Sequence, residues 1–104
     1  MSASAHPDLQ FPKRGQIKLT GKAYANLRQK VFRLDGYKCR VCGSISNLTP
    51  HHMIRRSKIR LDIIENLLSL CLRCNQLEAD RLIIISWIDS AKRTIQVQQK
   101  YAEY

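Results

Sequence analysis

Two Cys-x-x-Cys pairs, Cys39/Cys42 and Cys71/Cys74, enclose a stretch that carries His51-His52 and Asn66, and Asn75 follows the last cysteine at once. Four thiolates delivered by two such knuckles make a closed tetrahedral site of the kind structural zinc prefers. Disulfides are the competing use of paired cysteines. The start of the chain, Met1 to Gln10, is polar and lacks the apolar core of a secretory signal, so a reducing cytoplasmic setting is expected, where such pairs hold metal. The residues between the knuckles suit a different chemistry. Hydrolysing a phosphodiester in neutral water takes a deprotonated nucleophile, charge neutralisation at phosphorus and stabilisation of the leaving oxygen. A histidine that titrates near neutrality serves the first task as a general base, and a divalent cation with open positions serves the other two. Neighbours in a regular strand point to opposite faces, so His51 and His52 can share one site only where the strand ends or bulges.

These residues need a scaffold, and the pattern supplies one. Residues 1–19 read as a flexible basic tail, polar and small up to about Gly15, with Pro7, Pro12 and Lys13-Arg14. Thr20 is placed to cap a helix over Gly21–Leu34, whose apolar positions Tyr24, Leu27 and Val31 fall three and four apart while Lys22, Arg28, Lys30 and Arg33 take the opposite face. Asp35-Gly36 is a turn signal. A strand is expected around Leu48–Met53, a basic loop over Ile54–Asp62, a second strand around Leu67–Leu70, and a short helix carrying Asn75 and Leu77. The β-branched run Leu82–Ile88, the turn Asp89–Lys92 and the alternating run Arg93–Gln98 read as a hairpin. Trp87 and Tyr24 are expected in the core rather than stacked on bases. The domain thus spans 20–99, with a strand–strand–helix unit at about 47–80, a hairpin at about 82–98 and a tail at 100–104.

With 104 residues the chain has room for one domain of modest core, a size at which a metal staple is useful. Its formal charge of +10 points to a polyanionic partner, and a four-cysteine zinc site would remove only about two of those charges. Membrane is the competing polyanionic surface, but no amphipathic basic helix of useful length and no long apolar run is present.

The string CRVCG…NLTPHHMIRRS…ENLLSLCLRCN resembles the HNH endonucleases of the small bacterial and phage type, over roughly residues 24–81. The resemblance implies an α+β fold, the small ββα-metal or His-Me finger core, stapled by zinc on Cys39, Cys42, Cys71 and Cys74. It implies hydrolysis of DNA to 5′-phosphate and 3′-hydroxyl ends in a bacterial cell or phage-infected host. Carried over residue by residue, His52 becomes the general base and His51 a ligand of the catalytic metal. Asn66 becomes the residue that fixes the base-bearing loop, and Asn75 a second ligand, which makes this an H-N-N variant. An imidazole and an amide oxygen suit Mg²⁺ or Mn²⁺. Arg55, Arg56, Lys58 and Arg60 are candidate phosphate contacts on the loop that follows the base, against the plainer reading of a solvated loop.

Departures from the pattern open further readings. The loop before Asn66, Ile59-Arg60-Leu61-Asp62-Ile63-Ile64, has no glycine and several bulky apolar side chains, and is expected to pack on a partner, whether a second copy or a larger DNA-processing complex. Ala79 stands where relatives place a further histidine. Three functions follow: a zinc-stabilised endonuclease; a catalytically silent nucleic-acid-binding module, which would have no use for His52, Asn66 and Asn75 together; and an interaction subunit of a phage or restriction assembly. No reading helix is visible, so low sequence specificity is expected.

Overall fold

The computed structural model describes residues 16–100. Most of the tails expected at 1–19 and 100–104 lies outside that range. The element order is α1 (Gly21–Leu34), β1 (Leu48–His52), a 3-10 turn (Ile64–Asn66), β2 (Leu67–Cys71), α2 (Leu72–Ala79), β3 (Ile83–Asp89) and β4 (Thr94–Gln99). It is a small α+β fold of two helices and two antiparallel two-stranded sheets, β1–β2 and β3–β4.

Helix α1 follows its apolar stripe in part. Val31 and Phe32 are buried, while Tyr24 and Leu27 are only half-buried. Thr20 stands at the N-cap position in extended conformation, but its side chain makes no capping bond. The other end is closed more firmly. Tyr37 N–H donates to Phe32 O at 2.8 Å and Gly36 N–H to Arg33 O at 3.1 Å, with Gly36 at φ 71 in the left-handed region that glycine enters freely. Helix α2 ends the same way, Leu82 N–H to Leu77 O at 2.9 Å and Arg81 N–H to Glu78 O at 3.0 Å, but here Arg81 occupies the left-handed position at φ 62.

Strand β2, Leu-Leu-Ser-Leu-Cys, is buried at every position, as a short apolar run without alternation suggests. Leu68 and Leu70 join Cys39, Cys71, Cys74, Ile83, Ile85 and Trp87 in one cluster, with Leu77 and Ile95 packed against it. The hairpin therefore covers the zinc-binding end of the domain, and Trp87 lies in the core as expected. Both hairpin strands start one residue later than the pattern suggested. Leu82 N–H is taken by the turn that closes α2, and Arg93 bends the chain at φ 55, so neither can open a strand.

Two expectations are corrected by the loop before Asn66. Its bulky side chains do not form a patch awaiting a partner: Leu61 is fully buried and Ile59, Ile63 and Ile64 are half-buried. The cover comes from the chain itself. Ile17 N–H donates to Arg60 O and Asp62 N–H to Ile17 O, both at 2.8 Å, so the end of the expected tail forms a single parallel β-bridge, Ile17 with Leu61. Among the described residues no helix is long and apolar enough to cross a membrane.

Candidate active site and zinc centre

The four cysteines converge. Their sulfurs all lie within 4.8 Å of one another, and Cys42 Sγ stands 3.7 Å from Cys71 Sγ. A tetrahedral zinc with Zn–S near 2.3 Å sets its sulfurs about 3.8 Å apart, so the cluster fits this ion. None of the four is in a disulfide. The knuckles preform locally: Gly43 N–H donates to Cys39 O at 2.9 Å, Cys39 N–H to Ser44 O at 2.8 Å, and Cys74 N–H to Cys71 Sγ at 3.4 Å. Burial works against ionising Cys39, but backbone N–H groups around its sulfur prevail and lower its pKa to about 7. Burial and the neighbouring sulfurs push the Cys74 thiol upward instead. Four thiolates in this space repel one another, and a dication is what the cluster is shaped to hold.

Beyond the zinc end, β1 stops at His52, and Met53 N–H turns to Asn66 O at 2.8 Å. Because the strand ends there, both imidazoles line one open cleft of about 430 Å³, with Tyr24, Pro50, Arg55, Arg56, Ser57, Asn75, Glu78 and Ala79. His51 leans toward α2. Its Nδ1 is 3.2 Å from Asn75 Oδ1 and its Nε2 is 3.9 Å from Glu78 Oε1. Asn75 is held in that orientation because its Nδ2 donates to Thr49 Oγ1 at 3.0 Å, and that hydroxyl donates on to Leu70 O at 3.2 Å. Burial pulls the His51 pKa below the usual histidine value, opposed by the charge of Glu78 and the Asn75 contact, so the ring is kept neutral and free to bind a cation.

His52 leans the other way, toward the loop. Its Nε2 lies 2.8 Å from Asp62 Oδ1, and the Asp62 carboxylate is wholly buried. Burial lowers the His52 pKa, and Arg56 and Arg60 push in the same direction, against the opposing pull of Asp62. A neutral imidazole at neutral pH is the form a general base requires. Asn66 is fully buried, accepts Ile54 N–H at 2.8 Å, and donates to Leu61 O at 3.0 Å and Ile54 O at 3.4 Å. It therefore stitches together both ends of the loop that begins after His52.

The four basic candidates separate. Arg56 is exposed, with Nε 3.4 Å from His52 Nε2 and its guanidinium 5.9 Å from the Tyr24 ring centre. Arg55 faces both Glu78 oxygens at 3.4 Å. Lys58 is exposed. Arg60 is engaged inside the fold, its Nε on Asp62 Oδ2 at 2.9 Å and its Nη2 on Leu19 O at 3.3 Å.

The part played here by three residues, two lining the cleft and one buried behind His52, escaped the sequence reading. Glu78 falls three positions after Asn75, so the helical period alone puts both on one face. Tyr24 lines the cleft with Arg56 across its ring, rather than filling the core. Asp62 carried no signal beyond being a lone acid in a basic loop. His51, Asn75 and Glu78 together offer an imidazole nitrogen, an amide oxygen and a carboxylate, a donor set suited to a hard divalent cation.

A family model described as HNH endonuclease matches residues 39–81, the span from the first cysteine of the cluster to the turn that closes α2. No curated protein and no solved structure matches the chain.

Proposed function

We propose that this HNH-matching chain is a metal-dependent endonuclease that hydrolyses DNA, leaving 5′-phosphate and 3′-hydroxyl ends. The reading takes 20–99 as the nuclease domain and a bacterial or phage-infected cytoplasm as its setting. One observation carries it: an imidazole on a buried carboxylate and a separate His–Asn–Glu donor group open onto the same cleft, with Arg55 and Arg56 on its rim. A pure binding module would need the rim and neither of the others.

His51, Asn75 and Glu78 would hold Mg²⁺ or Mn²⁺, which supplies charge stabilisation for the phosphate and the leaving 3′ oxygen. The chain's own residues do the rest. His52, neutral and oriented by its partner, takes the proton from the attacking water. Asn66 keeps the base from drifting by fixing the loop that follows it. Arg56 draws a phosphate toward His52, and Tyr24 supports its guanidinium. The structural zinc takes no part in the chemistry, but Asn75 directly follows Cys74, so the zinc knuckle sets where the donor group begins.

The test is a supercoiled-plasmid assay with Mg²⁺, Mn²⁺ or chelator, run with wild type and His52→Ala. Cleavage with either metal, none with chelator, and none by a folded, zinc-loaded His52→Ala supports the proposal. A folded wild type that never cleaves any DNA overturns it in favour of the silent binding module, whereas a His52→Ala variant as active as wild type removes His52 from the mechanism.

A further inference from the structure

The two oxygens of Asp62 are put to different uses. Oδ2 serves the fold: it accepts Leu19 N–H and Arg60 Nε–H, each at 2.9 Å. Asp62 N–H is in turn held by Ile17 O, and Arg60 Nη2 reaches Leu19 O. The segment preceding α1 thus clamps the carboxylate from one side. Oδ1 is left for one partner, His52 Nε2 at 2.8 Å. An ionised carboxylate can only accept, so the proton of this bond must sit on Nε2. Arg56 Nε lies 3.4 Å from the same nitrogen, but a protonated Nε2 cannot accept from it, and the shorter, charge-assisted bond to the buried carboxylate prevails. Among the described residues, Nδ1 of His52 has no hydrogen-bond partner.

We infer that Asp62 is the positioning residue of this site: it fixes His52 in the tautomer protonated at Nε2 and so makes Nδ1 the nitrogen that accepts a proton. An imidazole is a base only at its unprotonated nitrogen, and left alone in water it exchanges between two tautomers and many ring orientations. A buried carboxylate that is itself immobilised removes both freedoms before substrate arrives. It also favours the imidazolium that forms once the proton has moved, because the charge develops beside a fixed anion. The loop that departs from the family pattern supplies this device, with the Asp62 side chain fully buried. The inference rests on the proposed nuclease reading only for its activity arm.

The experiment is a long-range proton–nitrogen correlation spectrum of the nitrogen-15-labelled, zinc-loaded full chain near neutral pH, with His52 assigned by its loss in His52→Ala. The expected spectrum shows Nε2 protonated and Nδ1 bare. Asp62→Asn presents an amide that can donate to Nε2, so the opposite tautomer should gain population. Plasmid cleavage should then fall about 10²–10⁴-fold in kcat, the scale seen when an acid–histidine pair loses its tautomer control, with DNA affinity unchanged. A wild-type spectrum dominated by Nδ1–H overturns the inference, and that result needs neither an active enzyme nor a folded variant. A folded Asp62→Asn that keeps both tautomer and turnover overturns it equally. If wild type fails to cleave while His52 shows the Nε2–H form, the nuclease reading falls and the assignment of Asp62 as holder of the tautomer stands.

Discussion

Arg93 grips Asp35 across the domain: from the turn of the hairpin its Nε reaches Oδ1 at 3.0 Å and its Nη2 reaches Oδ2 at 3.1 Å. The same guanidinium donates to Ile64 O at 2.9 Å and Leu67 O at 2.7 Å, and lies 5.4 Å from the Trp87 ring centre. Asp35 also accepts Ser69 N–H at 2.9 Å and Arg40 Nη1 at 3.2 Å. One ion pair therefore ties the end of α1, the start of β2 and the hairpin together.

Removing one partner of a buried pair strands the other. Asp35→Ala should cost about 3–5 kcal/mol, read as a loss of denaturation midpoint at fixed zinc. Burial opposes ionisation of Asp35, but Arg93 and the Ser69 amide outweigh it and hold the carboxyl below its ordinary pKa. A depressed pKa gives stability that is complete above the unfolded value, about 3.9, and is lost as pH falls through the folded one. The difference in melting temperature between wild type and Asp35→Asn should therefore shrink below about pH 4. A difference that stays constant into acid would remove Asp35 from the acid response.

Zinc removal should unfold the segment between the knuckles. A strong chelator is expected to abolish the circular-dichroism signal of the folded chain, and added Zn²⁺ to restore it. Rebinding should release protons at neutral pH, because thiols in the unfolded segment, with an ordinary pKa of about 8.5, are mostly protonated and bind zinc as thiolates. A chelated protein that keeps its melting curve would show the staple to be dispensable.

The donor group and the base should fail in different ways. His51→Ala, Asn75→Ala and Glu78→Gln should raise the Mg²⁺ or Mn²⁺ concentration needed for half-maximal cleavage and weaken calorimetric metal binding. Activity should return in part at high metal. His52→Ala should not be rescued by any metal concentration. If Glu78→Gln leaves metal affinity untouched, Glu78 serves only as the counter-charge of Arg55.

Asn66→Ala should unfold the loop before it harms anything else. It leaves Ile54 N–H and Leu61 O unpaired inside the protein, at about 1–3 kcal/mol for each group. Cleavage should slow by less than in His52→Ala, because the base is misplaced rather than absent. Asn66→Asp keeps an acceptor for Ile54 N–H and should recover part of the stability. An equal loss of stability in both variants would show that the acceptor carries nothing.

Much of this was legible from spacing. The two Cys-x-x-Cys pairs announce the zinc cluster because ligand spacing is local, and the leucine-rich stretch Leu67–Leu70 announces a strand. What stayed hidden depends on contacts remote in sequence. Asp35 reads as a turn former, yet its partner Arg93 lies 58 residues away. Apolar side chains in the loop 59–64 read as a surface for another molecule, because nothing local reveals that Ile17 comes back to pair with Leu61. Glu78 was within reach of the helical period; Asp62 was not, since its role exists only where His52 and Leu19 meet.

The last two residues of β1 divide the cleft into two offices with separate supports. His51 takes its bearings from α2, and through Cys74 from the zinc end. His52 takes its bearings from Asp62, and through Leu19 from the segment ahead of α1. Damage on one side need not reach the other. Descendants of such a chain could lose proton transfer and keep a cation-dependent grip on DNA, or lose the cation and keep the base. Nuclease and silent binder would then stand one substitution apart on an otherwise unchanged scaffold.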